Sequence, residues 1–281
     1  MADLGLRQAL PVDLDAYCAR IGYSGPRTPT IGTLRALHAL HPAAIPFENI
    51  DVLLDRGIDI APAPVDAKLI AGRRGGYCYE HNGLFKRVLQ AIGFSVEGLA
   101  ARVCWMVPPG SGPRPRTHMA LRVTIDGTPW LADVGFGACV PTVPLRMDAA
   151  APQETGHETF RVRSTGEGVR VEALVGDRWE ALYDLSLEPV LDVDYELGNW
   201  FVSAHPQSHF RHVLMAGRVT PGARYTLLNG RFTVRSPGGE TERRLLDADA
   251  LESVLAREFG LPVQPDWRPL IERIAALGEP G

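Results

Sequence analysis

Three features of the 281-residue sequence predict an α+β protein. Apolar residues recur at helical spacing as far as Ile92, the hydrophobic period drops to two from Gly98, and an Asn229-Gly230 hairpin signal is followed by two further helical stretches. With 29 glycines and 23 prolines, the chain suits many short elements better than a long helical bundle.

The first helix rests on Leu14, Tyr17, Cys18 and Ile21, one apolar stripe capped by Asp13 and stopped by Gly22. A second follows Thr30 and is expected to break in HPAAIPFEN at 41–49, where two prolines stand. A short helical turn from Val65 leads into Gly75-Gly76. Beyond it Leu84, Phe85, Val88, Leu89 and Ile92 trace the face of a helix that starts near Cys78 and stops at Gly93. Period-2 runs predict strands at 102–107, 117–125, 130–136, 159–163, 169–175 and 179–183, forming a small antiparallel sheet or barrel. The stretch 192–209 reads as irregular or partly helical. A hairpin of 225–228 and 231–235 comes next, then a helix with Asp249 and Glu252 as a capping box that ends at Gly260, and a last helix near 267–277.

Composition narrows the function classes. Charged residues make 22% and the net charge is −4, so the broad basic field that non-specific nucleic-acid binding needs is missing. No run of 18 apolar residues occurs, and MADLGLRQALPVD has neither a basic nor an apolar leader region, so a cytoplasmic protein without membrane association is expected. Cys18, Cys78, Cys104 and Cys139 contain no CxxC pair, which predicts free thiols and no metal.

In Arg73 to Asn82, two glycines lead into a helix whose first residue is Cys78. A helix N-terminus stabilises a thiolate, and glycine leaves the approach to sulfur unblocked, so the segment is built as a nucleophile's would be. On this segment alone a small buried thiol, which is what most free cysteines are, is the commoner reading. A second signal comes from 117–136. If Asp126-Gly127 is a two-residue turn, Leu121 pairs with Ala132 and Val123 with Trp130, and the apolar faces coincide. That register sets His118 diagonal to Asp133, an acid flanked by apolar residues and therefore in need of a partner. His38 and His41 are expected to end a helix, His205, His209 and His212 to lie at the surface, and Glu80 and His81 to orient their helix.

RGGYCYEHNGLF, THMALRV and WLADVGFG, preceded by IPFEN and followed by FVSAHPQSHF, together resemble the arylamine N-acetyltransferase family over nearly the whole chain. The resemblance implies a helical bundle at 1–97, a β-barrel at 98–205 and an α/β lid at 206–281, with a Cys-His-Asp core like that of cysteine proteases. It implies Cys78 as the acetylated nucleophile, His118 as its base and Asp133 as the residue orienting that base. Acetyl-coenzyme A would donate the acetyl group, and an arylamine, hydrazine or hydroxylamine would accept it in a ping-pong cycle of xenobiotic metabolism. Thr117, Gly135, Phe136 and Gly137 are the expected coenzyme A contacts. Phe47, Trp105, Phe136 and Phe210 are the expected acceptor-pocket walls, flat apolar faces that suit an aryl group. A thiol hydrolase or transglutaminase-like amidase shares Cys, His and Asp in that order and is the alternative. A non-catalytic module on the same fold is the third reading, and the sequence leaves the oligomeric state open.

Overall fold

The computed structural model describes residues 11–108 and 110–278. The helices are α1 (Leu14–Ile21), α2 (Ile31–Ala44), α3 (Ile50–Leu53), α4 (Pro62–Asp66), α5 (Cys78–Ile92), α6 (Tyr195–Ala204), α7 (Ala248–Arg257) and α8 (Arg268–Ala275). A short first strand, β1 (Phe47–Glu48), lies among the early helices. Eight strands follow: β2 (Ser95–Val103), β3 (His118–Ile125), β4 (Thr128–Ala132), β5 (Leu145–Arg146), β6 (Gln153–Glu154), β7 (Thr159–Thr165), β8 (Gly168–Val175) and β9 (Arg178–Ser186). The last four are β10 (Met215–Val219), β11 (Arg224–Leu228), β12 (Arg231–Arg235) and β13 (Thr241–Leu245).

The α+β class is borne out. The eight middle strands form one antiparallel sheet in the order β5-β4-β3-β2-β9-β8-β7-β6, and β5 also touches β7, so the sheet curls into a nearly closed barrel. Its interior is filled by Leu99, Ala120, Leu131, Phe160, Val171 and Leu185. On the outer face Met119, Leu121, Val123 and Ala132 pack under Leu84, Phe85, Val88 and Leu89 of α5. Both faces of β3 are therefore covered, one by the barrel and one by the helices. The C-terminal strands form a second sheet, β1-β10-β11-β12-β13, packed on α7 and α8 through Leu227, Phe232, Leu255 and Ile271. Strand β1 comes from the helical segment, with Phe47 opposite Gly217.

Four local expectations are corrected. Helix α2 does not break at Pro42 but runs on to Ala44. Near a helix end the missing N–H forfeits one hydrogen bond, and it is Ile45, extended before Pro46, that stops the helix. The strand expected at 102–107 lies at Ser95–Val103. Cys104 and Trp105 both donate to the Leu182 carbonyl, and Met106 turns the chain at φ 57°. Strand β4 stops at Ala132 rather than reaching Phe136, and Phe136 joins the barrel side instead of the face of Trp130 and Ala132. Helix α7 ends at Arg257 and is capped by Asp247, which accepts from Ala250 N at 2.8 Å, while Asp249 pairs with Arg268 at 2.7 Å.

Candidate active site

The first turn of α5 carries Cys78, 5% exposed. The Glu80 carboxylate accepts from Tyr77 N at 3.0 Å and is held by Lys68 at 2.8 Å, closing the helix start. The first intrahelical bond runs from His81 N to Tyr77 O, so the N–H groups of Cys78 and Tyr79 precede the helical ladder. The two glycines have a different purpose from leaving an open approach. A Cβ on Gly75 would stand 2.1 Å from Pro46 O, so backbone packing requires glycine there, while one on Gly76 would stand 2.6 Å from a Glu80 carboxylate oxygen and would displace the side chain that closes the helix start.

His118 opens β3, and its Nε2 lies 2.7 Å from Asp133 Oδ2. The turn at Asp126 and Gly127, φ 48° and 75°, gives the expected register, Leu121 opposite Ala132 and Val123 opposite Trp130. Past Ala132 the chain leaves the ladder because side chains take its N–H groups. His38 Nε2 accepts from Asp133 N at 3.1 Å, Asn82 Oδ1 from Val134 N at 3.0 Å, and Asp133 Oδ1 from Gly135 N at 2.9 Å. Asn82 Nδ2 and Tyr183 Oη also donate to Asp133, at 2.9 and 3.0 Å.

Burial alone would hold His118 neutral, but the Asp133 charge and hydrogen bond outweigh it, helped by the hydrogen bond with Cys78, and its pKa is pushed up to about 10. Burial likewise opposes an ionised Asp133, yet His118, Asn82 and the Gly135 N–H hold its carboxyl below the usual range. The pair is thus an imidazolium and a carboxylate at neutral pH. With Nε2 committed to Asp133, Nδ1 is the ring nitrogen left for Cys78. The other three thiols are all raised by burial, Cys139 to about 12.

Cys78, His118 and Asp133 are thus brought together. Cys78 Sγ also lies 3.7 Å from Thr117 O, and a Cβ on Gly135 would stand 2.8 Å from Cys78 Cα. Because the Gly135 N–H already serves Asp133, Gly135 acts by close packing and not as a free donor. Phe136 stands edge-on to His118 at 5.0 Å between ring centres. Phe47 and Phe210 face each other at 6.1 Å on the helical side, and Gly137, φ 66°, passes so close to Phe47 that a Cβ would meet the ring at 3.3 Å. Trp105 packs on the barrel core, apart from the Phe47 and Phe210 side. Asn82, Tyr183 and His38 were not singled out from sequence. Only Asn82 left a signal, one turn beyond Cys78 in the same motif. Among the described residues no group of three or more His, Cys, Asp or Glu is placed to hold a metal ion, and no helix is long and apolar enough to cross a membrane.

A helix-borne thiol, an imidazole and a buried carboxylate meet where α5 abuts the barrel, and comparison with known proteins gives the class. The family model for N-acetyltransferases matches residues 30–268. An arylamine N-acetyltransferase of Mycobacterium tuberculosis is 40% identical over 90% of this chain and 91% of its own, and one of Escherichia coli is 41% identical over 89% of each. The solved structure of Mycobacterium marinum arylamine N-acetyltransferase in complex with CoA superimposes with a TM-score of 0.89 at 42% identity, covering 94% of this chain and 98% of that one. The chain belongs to the arylamine N-acetyltransferase family and is an acyltransferase.

Proposed function

We propose that the protein moves an acetyl group from acetyl-coenzyme A to an arylamine, hydrazine or hydroxylamine by way of a thioester on Cys78. The sulfur, as thiolate beside the His118 imidazolium, attacks the thioester carbonyl, whose electron pair moves to oxygen. The helix-start N–H groups of Cys78 and Tyr79 are suited to hold that oxyanion. Collapse expels the coenzyme A sulfur, which takes the proton from His118. The acceptor nitrogen then attacks acetyl-Cys78, gives its proton to His118, and leaves as the amide while the thiolate returns. Asp133 keeps the imidazole oriented throughout and stabilises its charged form before the first step and after the second.

The observation that carries this reading is the fully bonded Asp133 carboxylate holding His118 Nε2 at 2.7 Å beside the helix-borne Cys78. The relative solved with CoA supports coenzyme A as the donor carrier. Thr117, Phe136 and Gly137 are its contacts in this reading, and Gly135, whose N–H serves Asp133, lines the passage without donating. Phe47, Phe136 and Phe210 wall the acceptor, with Trp105 farther along the barrel, and the unit of β10 to α8 serves as a lid. We place the enzyme in the cytoplasm. Intact-mass measurement after acetyl-coenzyme A treatment tests the assignment: one acetyl group on the parent and none on Cys78→Ala is expected. Full acetylation of Cys78→Ala would overturn it.

A further inference from the structure

Beside the Cys78 group lies a second row of buried polar side chains that the proposed reaction leaves unused. Tyr17 of α1, His41 of α2 and His81 of α5 are all fully buried. Tyr17 Oη lies 2.8 Å from His41 Nδ1, and His41 Nε2 lies 2.9 Å from His81 Nδ1. His81 Nε2 lies 3.1 Å from Gly76 O and 3.2 Å from Pro46 O.

Chemistry fixes the direction of this row. Two carbonyl oxygens can only accept, so His81 Nε2 carries a hydrogen. Burial depresses both imidazoles, His81 to about 4, so each is neutral at pH 7 and holds one N–H. His81 Nδ1 is then bare and accepts from His41 Nε2–H. His41 Nδ1 is bare in turn and accepts from the Tyr17 hydroxyl. Both histidines are the Nε2–H tautomer, fixed at the carbonyl end of the row and matched at the other by the Tyr17 hydroxyl, which donates.

The donor end falls on a seam. Glu48 N donates to Gly76 O at 2.7 Å and Gly76 N to Pro46 O at 3.3 Å, while Gly75 packs against Pro46 O. The His81 N–H bridges both carbonyls of that seam. On one side stands Phe47, its ring 17° from parallel to His81 at 6.5 Å, and two residues past Gly76 on the other stands Cys78.

We propose that His81, its proton held at Nε2 by the Gly76 and Pro46 carbonyls with His41 donating to its other nitrogen, is a positioning residue that sets the spacing between the start of the Cys78 helix and the Phe47 wall. This rests on the reading that Cys78 carries the acetyl group and Phe47 meets the acceptor. The acceptor half of the reaction then depends on His81, whereas loading of the small acetyl group does not.

Two measurements test it. Long-range ¹H–¹⁵N correlation of the histidine-labelled protein at pH 7 reads tautomers without any substitution at His81. Neutral Nε2–H forms at His41 and His81 are expected, and a protonated or Nδ1–H His81 would overturn the proposal. The second compares His81→Gln, whose amide nitrogen reaches the Nε2 position, with His81→Asn, whose amide stops short of it. His81→Asn is expected to lower acceptor kcat/KM by about tenfold while rapid-quench acetylation of Cys78 stays within about threefold, and His81→Gln to regain most of the loss. Equal losses in both variants that follow a fall in Tm, or an unchanged acceptor kcat/KM in His81→Asn, would overturn it. The parent in the same quench separates the two readings: no acetyl-enzyme there defeats the Cys78 assignment itself, whereas acetyl-enzyme with an indifferent His81→Asn defeats the positioning role alone.

Discussion

Four donors converge on Asp133: His118 Nε2 and Tyr183 Oη on one oxygen, Asn82 Nδ2 and the Gly135 N–H on the other. A carboxylate with no exposed surface stays ionised only when its oxygens are satisfied in this way, and the charge so kept is what holds His118 protonated. Asp133→Asn removes the charge while keeping the size, and its amide hydrogens face donors. The expected result is a folded protein with activity lower by about 10³-fold or more. Its rate of alkylation by iodoacetamide between pH 5 and 9 should move to higher pH, and a profile that overlays the parent's would make Asp133 purely structural. The His118 and Asp133 pairing was legible in the sequence because a two-residue turn leaves one register that aligns both apolar faces. The contacts of Asn82, Tyr183 and His38 with Asp133 were not legible, although Asn82 itself stands in the Cys78 motif. They reach Asp133 across 51, 50 and 95 residues, through helix-on-sheet packing and barrel closure that no local pattern encodes.

At the scale of elements, the site is a junction between the start of α5 and the chain leaving β4. The contact is backbone to backbone, since Gly135 leaves no room for a Cβ against Cys78 Cα. Gly135→Ala is therefore expected to force the two elements apart, destabilising by about 1–3 kcal/mol and lowering kcat by tenfold or more. Gly83→Ala, in the same helix with open space around it, is expected to stabilise by about 0.5–1 kcal/mol and leave activity intact. Urea midpoints and initial rates of the two variants check both, and an active, undiminished Gly135→Ala would contradict the close junction. The start of α5 could be read from Gly75-Gly76 and the apolar stripe. Strand β2 was misplaced because it is paired on both sides, with β3 and β9, and its burial does not alternate cleanly.

Across the whole molecule, the buried histidines set a pH window. His38 and His81 are pushed down to about 4 by burial, and His41 is also depressed, so as pH falls below about 6.5 the unfolded chain takes up protons that the folded one refuses, and stability is lost. His118 has the opposite sign. Its folded pKa of about 10 lies above the unfolded value, so its contribution is complete below about 6.5 and is lost as pH rises toward 10. The urea midpoint should therefore be highest near pH 6.5 and fall on both sides, more steeply in acid, where three histidines act together. A midpoint still rising from pH 6.5 to 9 would contradict the assigned charge states. Of the whole, the order of a helical segment and then a sheet or barrel could be read from the change in hydrophobic period, whereas the α/β unit after it came from the family resemblance. The return of Phe47 to pair with Gly217 could not, since two residues of strand carry no periodic signal.

In the proposed mechanism one sulfur carries the acetyl group between two substrates that never react with each other directly. Initial rates at several fixed acceptor concentrations, plotted in reciprocal form against acetyl-coenzyme A, test it most directly. A covalent Cys78 intermediate predicts parallel lines, with acetyl-enzyme present in rapid-quench samples before acceptor is added. Intersecting lines with no acetyl-enzyme would mean direct transfer in a ternary complex, and Cys78 would lose its role as nucleophile.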